Sequence, residues 1–180
     1  MFIEMRVSGL TLDPITNTPI VILKDLEEKK AIPICIGIFE ASALATEIEK
    51  ITFSRPMTHD LLTEIVKVLK TEVTRVEIHD LRNNTFFANI HLLREGNRII
   101  VDARPSDAIA VALRVGAPIY VDGRIVGHVT SSFASPGLGR AVMLGWQKHA
   151  PFADTVTIDG RHAHVTETPF YDPQGTRARA

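Results

Sequence analysis

The chain has 180 residues, 45% hydrophobic and 23% charged, which is enough for one domain with a full core and a small appendage. Lys and Arg number 20 against 21 Asp and Glu; the formal net charge of −1 creates no global field toward nucleic acid or anionic membrane, so polyanion contact must be local. Cys35 is the single cysteine, which excludes an internal disulfide and a cysteine-held zinc, and no apolar run reaches membrane-spanning length. Six arginines, Arg55, Arg75, Arg82, Arg94, Arg98 and Arg104, are the material for a local basic groove. The start shows no basic stretch followed by a long apolar one, so no signal peptide is visible and the cytoplasm is the expected location.

Residues 2–7 place Ile3, Met5 and Val7 on one face and Glu4 and Arg6 on the other, which predicts a half-buried strand. A turn through Asp13-Pro14 leads to a second strand at Pro19 to Leu23. The charged run Lys24 to Lys30 is a solvated turn before a third at Ala31 to Ile36, and the three fit an antiparallel meander. Cys35, inside that third strand, is expected to be a buried and inert thiol. Ala41, Leu44, Ala45 and Ile48 mark a helix from Glu40 to Lys50; Leu61, Leu62, Ile65, Val66 and Leu69 mark a second. Strands at Val73 to Leu81, Thr85 to Leu93 and Arg98 to Ala103 are separated by Arg82-Asn83-Asn84 and Glu95-Gly96-Asn97, and form consecutive hairpins. A third helix carries Ala108, Ile109, Val111, Ala112 and Val115 and stops at Gly116 and Pro118. Strands at Ile119 to Val121 and Ile125 to Val129 complete the compact part. Beyond Thr130, Ser131 to Gly137 is loop-like, Val156, Ile158 and Val165 around Asp159-Gly160 predict a small hairpin, and Asp172 to Ala180 is polar and expected to be mobile. The expectation is α+β: a mixed, mostly antiparallel sheet packed with about three helices. Residues 1–130 are the domain, and 131–180 a partly flexible C-terminal extension.

Two stretches echo one another. Arg55-Pro56-Met57-Thr58-His59-Asp60 and Arg104-Pro105-Ser106-Asp107 each set Arg-Pro before a hydroxyl residue, an aspartate and a helix. Proline biases the preceding arginine to extended geometry, and Thr58 and Ser106 are suited to cap the helices. A helix start of this kind can hold an anion such as a phosphate. Around the two junctions stand Glu40, Glu47, Asp60, Asp80, Asp102 and Asp107, carboxylates suited to a hard cation, Mg²⁺ or Mn²⁺, that can activate water at a phosphodiester. Asp60 and Asp107 can equally do no more than complement their helix dipoles. His59 can be a base, an acid, a metal ligand or a capping residue. Arg55 and Arg104 can bind phosphate in bidentate fashion, or pair with the neighbouring junction's aspartate in a lattice that locks two helices together. His79 is expected on the surface. His162 and His164 share a strand face without a third ligand, and no P-loop, Rossmann glycine pattern or nucleophilic triad is present.

These motifs, with Pro33-Ile34-Cys35-Ile36-Gly37 leading to Glu40-Ala41, Val76-Glu77-Ile78-His79-Asp80-Leu81 and Thr85-Phe86-Phe87-Ala88, make residues 1–130 resemble the bifunctional nuclease family, a domain of unknown function. The resemblance implies a compact α+β domain that self-associates as a homodimer and cleaves both DNA and RNA with a divalent ion. Only the motif positions carry over: Glu40, Arg55, His59, Asp60, Asp102, Arg104 and Asp107. The balanced net charge departs from what a nucleic-acid enzyme would show.

The reading that combines both lines is a metal-assisted phosphodiesterase on DNA and RNA with little sequence preference. Asp60, Asp102 and Asp107, with Glu40, would hold Mg²⁺ or Mn²⁺; Arg55 and Arg104 would bind the phosphate; His59 would orient or deprotonate water. The alternative is a non-enzymatic dimeric binding or regulatory module in which the Arg-Pro and aspartate motifs form a structural lattice, and a third is a small-anion sensor using the same helix ends. Neither a membrane partner nor a membrane location is expected.

Overall fold

The structure, a computed structural model, describes residues 1–14, 16–82, 85–123, 127–135, 140–147, 155–158 and 161–164. The first strand runs further than residues 2–7: β1 (Phe2–Leu12) keeps its pairing with β2 (Pro19–Asp25) past a bulge between Val7 and Gly9, which interrupts the alternation. β3 (Ala31–Cys35) follows antiparallel to β2, completing the expected meander. Two helices come next, α1 (Ile38–Ile48) and α2 (Thr58–Val68). A second meander follows, β4 (Glu72–Arg82), β5 (Thr85–Arg94) and β6 (Asn97–Ala103). Then α3 (Pro105–Val115) returns the chain to β7 (Ile119–Asp122).

β7 joins the two meanders. It pairs antiparallel with β1 and parallel with β4, so one open seven-stranded sheet runs β3-β2-β1-β7-β4-β5-β6. The fold is α+β, with three helices among the described residues and a single parallel pair in an otherwise antiparallel seven-stranded sheet.

α3 is central to the helical layer. Ala108, Ile109, Ala110, Val111 and Ala112 are all buried, the pattern of a helix covered on most of its circumference. It packs on β4 and β5, and α1 and α2 both pack on it. Ile109 and Leu44 of α1 meet Val21, Leu23, Val76, Ile78 and Val121 of the sheet in one core cluster. Gly116 ends α3 at φ +70°, a left-handed position that costs a side chain strain. α2 differs from its neighbours in having no buried residue at all.

Three expectations need correction. Ser131 to Ser135 are not loop: β8 (Gly127–Ser135) runs through them and pairs antiparallel with β9 (Arg140–Gln147), and a bulge between Val129 and Ser131 breaks the alternation that would have marked the strand. Cys35 is exposed, at the end of β3; partial desolvation and the nearby Asp13 charge raise its pKa and keep the thiol protonated. Thr58 and Ser106 are not caps, because Met57 and Arg104 occupy the N-cap positions.

The chain divides into two compact units, Met1–Lys148 and His149–Ala180. The second contains the expected hairpin, β10 (Thr155–Ile158) against β11 (Arg161–His164). The turn at Asn83-Asn84 and the polar end at 172–180 lie outside the described residues.

Because Ile109 has no exposed surface in the centre of the core, Ile109→Ala is expected to lower the unfolding free energy by about 2–5 kcal/mol. Urea unfolding should show an earlier midpoint at an unchanged slope; a loss below about 1 kcal/mol would mean that α3 is not the central element of the core.

Candidate active site

All three helices begin alike. Gly37, Met57 and Arg104 are the extended N-caps of α1, α2 and α3, so Glu40, Asp60 and Asp107 each fall at the third helical position. An acid there sits on the positive end of the helix dipole and can reach back toward the N-cap. Asp60 does so: its Oδ2 accepts the Met57 N–H at 2.9 Å. Pro105 at the first position of α3 has no N–H to leave unpaired, and it holds Arg104 extended at φ −66° and ψ 146°.

From there Arg104 folds back on its own helix. Its Nε donates to Asp107 Oδ2 at 2.7 Å and its Nη2 to Oδ1 at 3.0 Å, a bidentate fork, while Nη1 donates to Glu40 Oε1 at 2.7 Å. His59 of α2 places Nε2 3.3 Å from Asp107 Oδ1. A continuous polar chain therefore runs Glu40–Arg104–Asp107–His59 and touches the first turn of every helix. It joins the two Arg-Pro junctions through His59 and Asp107. Arg104 remains 65% exposed, so the group opens to solvent on the arginine side, whereas the His59 side chain is 14% exposed.

Next to this chain lies a second contact. Arg114, in the last turn of α3 and only 7% exposed, donates from Nε to Asp60 Oδ1 at 2.5 Å. Its Nη1 and Nη2 donate to the carbonyls of Ala110 at 3.1 Å and Ala43 at 3.3 Å. One buried guanidinium thus ties α2 and α1 to α3.

Charge follows contact. The Arg114 hydrogen bond, then the Met57 N–H, hold the Asp60 carboxyl below its usual range. For Asp107 burial acts upward, but the hydrogen bonds from Arg104 and His59 outweigh it and the net shift is down. Arg104 is pushed up, chiefly by its bonds to Asp107, and stays fully charged. An ionised Asp107 can only accept, so His59 Nε2 carries the proton and Nδ1 is left as the proton acceptor.

Other expected site residues stand apart. The side chains of Arg55 and Asp102 are exposed and make no hydrogen bond or ion pair among the described residues, although the Asp102 backbone is part of the β5–β6 ladder. Glu47 pairs with Lys50 at 2.6 Å and Asp80 with Arg82 at 2.6 Å. Glu40, Asp60 and Asp107 each already serve an arginine, and among the described residues no three His, Cys, Asp or Glu side chains converge as ligands. The donors as arranged do not fit a divalent cation. Sequence reasoning missed Arg114, a lone charge at the end of an apolar helix; Gly37, part of the motif leading to Glu40, is where an added Cβ would meet the Glu40 carboxylate.

The sequence model of the bifunctional nuclease domain matches residues 21–133, more than half of the chain. That of the glycine cleavage T-protein C-terminal barrel domain matches residues 98–172, less than half, and the described seven-stranded sheet is open. An uncharacterized protein of Mycobacterium tuberculosis is 39% identical over 123 residues, covering 68% of this chain and 73% of its own length. Bifunctional nuclease 1 of Oryza sativa subsp. indica is 28% identical over 139 residues, 68% of this chain and 42% of the relative. Bifunctional nuclease 1 of Arabidopsis thaliana is 29% identical over 94 residues, 51% of this chain and 29% of the relative.

Two outcomes follow from the ion pairs. Arg114→Met removes charged hydrogen bonds from a buried site and is expected to lower stability by about 2 kcal/mol, read as a shift in urea midpoint. Asp60 and Asp107 have folded pKa values below the unfolded value of about 3.9, so their stabilisation is complete above that value and lost as pH falls through the folded ones. Unfolding midpoints measured from neutral pH into acid should drop for the wild type and drop less for Asp60→Asn; identical slopes would remove Asp60 from the account.

Proposed function

The chain belongs to the bifunctional nuclease domain family, and on that premise we propose that it hydrolyses phosphodiester bonds of DNA and RNA with little sequence preference, with His59 and Asp107 as its acid–base pair. The observation that carries this is the meeting of the two Arg-Pro junctions, His59 of one at 3.3 Å from Asp107 of the other, beside an arginine open to solvent. Asp107 orients the imidazole and stabilises the charge it gains, leaving Nδ1 to take a proton from water. The water oxygen then bonds to phosphorus, the ester P–O bond breaks, the leaving oxygen takes a proton from solvent, and the His59 imidazolium returns its proton to solvent.

Arginine supplies the anion contact. Arg104 uses three of its five N–H donors on Asp107 and Glu40, which leaves two for a phosphate. Arg55 carries a free guanidinium and is assigned to the same phosphate or its neighbour. Asp60 is assigned to holding α2 against α3, and Asp102, a carboxylate without a partner among the described residues, to the water. A divalent ion, Mg²⁺ or Mn²⁺, would supply charge neutralisation at the phosphate, but it can reach Asp107 and Glu40 only if Arg104 lets them go; no step is assigned to it. We take the cytoplasm as the place of the substrate encounter; no described helix is long and apolar enough to cross a membrane.

One observation favours the non-enzymatic reading, namely that Glu40, Asp60 and Asp107 are all arginine-paired, as a structural lattice requires. Cleavage of labelled single-stranded DNA and RNA, with Mg²⁺, Mn²⁺ or EDTA, separates the two. His59→Ala is expected to slow cleavage by about 10²–10⁴-fold at a nearly unchanged melting temperature, Asp107→Asn and Asp102→Asn to slow it, and Arg55→Ala to raise KM. Wild-type protein that cleaves neither polymer in any buffer would make the lattice module the better account.

A further inference from the structure

The first turn of α1 carries two neighbouring side chains that point different ways. Glu40 turns toward α3 and accepts from Arg104 Nη1 at 2.7 Å. Phe39, one residue earlier and about 100° around the helix, lies on the far side from the buried Ala41 and Leu44. It is 85% exposed, the most exposed aromatic ring among the described residues, and takes no part in the core cluster. Leaving a phenyl ring in water forgoes the free energy that burial would release. Side chains of a helix lean toward its N-terminus, so the ring projects over the start of α1, the end at which Glu40 meets Arg104. An unused aromatic face and an arginine with two N–H donors to spare therefore stand side by side in solvent.

On the phosphodiesterase reading of this site, on which the inference rests, we propose that Phe39 is the platform on which a nucleobase stacks while Arg104 holds its phosphate, so that the site selects an unpaired strand of DNA or RNA. A base stands one sugar away from its phosphate, and Phe39 stands one residue away from the acid that holds the arginine. In a duplex each base is covered by its neighbours and offers no face to a side chain; an unpaired base does. Every base has such a face, so a single ring gives grip without reading sequence. The charge balance points the same way. With a formal net charge of −1 the chain has no long-range pull on a polyanion, and contact with one or two phosphates releases few counterions. Stacking supplies affinity that this electrostatic balance does not, and it is little screened by salt.

Anisotropy of a labelled oligothymidylate tests it, with the full chain carrying His59→Ala as the parent so that the strand stays intact. Adding Phe39→Ala is expected to weaken binding about 5- to 100-fold at low and at high salt, with an unchanged melting temperature because the ring is exposed. Phe39→Trp is expected to bind at least as tightly as the parent, and its indole emission should be quenched by the strand beyond any change at Trp146, the one native tryptophan. In the cleavage assay Phe39→Ala alone should raise KM for single strands and leave duplex cleavage as it was. A Phe39→Ala protein that binds as tightly as its parent overturns the inference and leaves the phosphodiesterase reading standing. A Phe39→Ala protein that keeps its affinity but loses sedimenting mass assigns the ring to a contact between copies, which also overturns it. A parent that binds no oligothymidylate overturns it as well, and the phosphodiesterase reading falls with it only if the wild type cleaves neither polymer.

Discussion

A guanidinium removed from water must find acceptors, and Arg114 finds them on three elements at once. It is 7% exposed, and it bonds the Asp60 carboxylate of α2, the Ala43 carbonyl of α1 and the Ala110 carbonyl of its own helix. Leaving such a donor unpaired costs more than the pair itself contributes, so the constraint is geometric: α2 can sit only where Asp60 meets Arg114. With Asp60 fixed, its neighbour His59 is fixed too, and it points at Asp107 one turn into α3. The candidate site is therefore a consequence of how the helices are tied, and the tie and the site share one turn of α2.

The same turn carries opposite demands at its two ends. Toward α3 it is polar, ordered by charge and by the Met57–Asp60 cap. Toward solvent it is apolar, and it buries nothing. A helix held in this way gains little from the hydrophobic effect within its own chain, so its local opening should be among the cheapest of the fold. Covering its apolar arc would stabilise the helix that bears His59 without touching the site.

Much of the fold could be read from residue patterns. Alternation located the strands of both meanders, helical spacing located three helices, and the Arg-Pro echo located two junctions that prove to be neighbours in space. What could not be read was direction. The apolar stripe of α2 looks like any core-facing stripe, because spacing says which residues share a face and not which way the face turns. Nothing in the sequence sets Arg114 apart from an ordinary charge in a last helical turn, and only burial shows that it is the tie. Asp60 and Asp107 stand three residues beyond their N-caps, which favours them as helix-start acids on propensity alone; that His59 spans from one to the other depends on tertiary packing. β7 between β1 and β4 was equally hidden, since no local signal announces a parallel pair formed across α3.

The claim on which the rest depends is that Arg114 positions His59 on Asp107. The tautomer of His59, read from long-range ¹⁵N–¹H couplings near neutral pH, reports that contact directly. The account predicts a wild-type imidazole protonated at Nε2 with Nδ1 free, and a mixture of tautomers in a folded Arg114→Met variant. An imidazole with the same tautomer in both proteins, or one protonated at Nδ1 in the wild type, would contradict it.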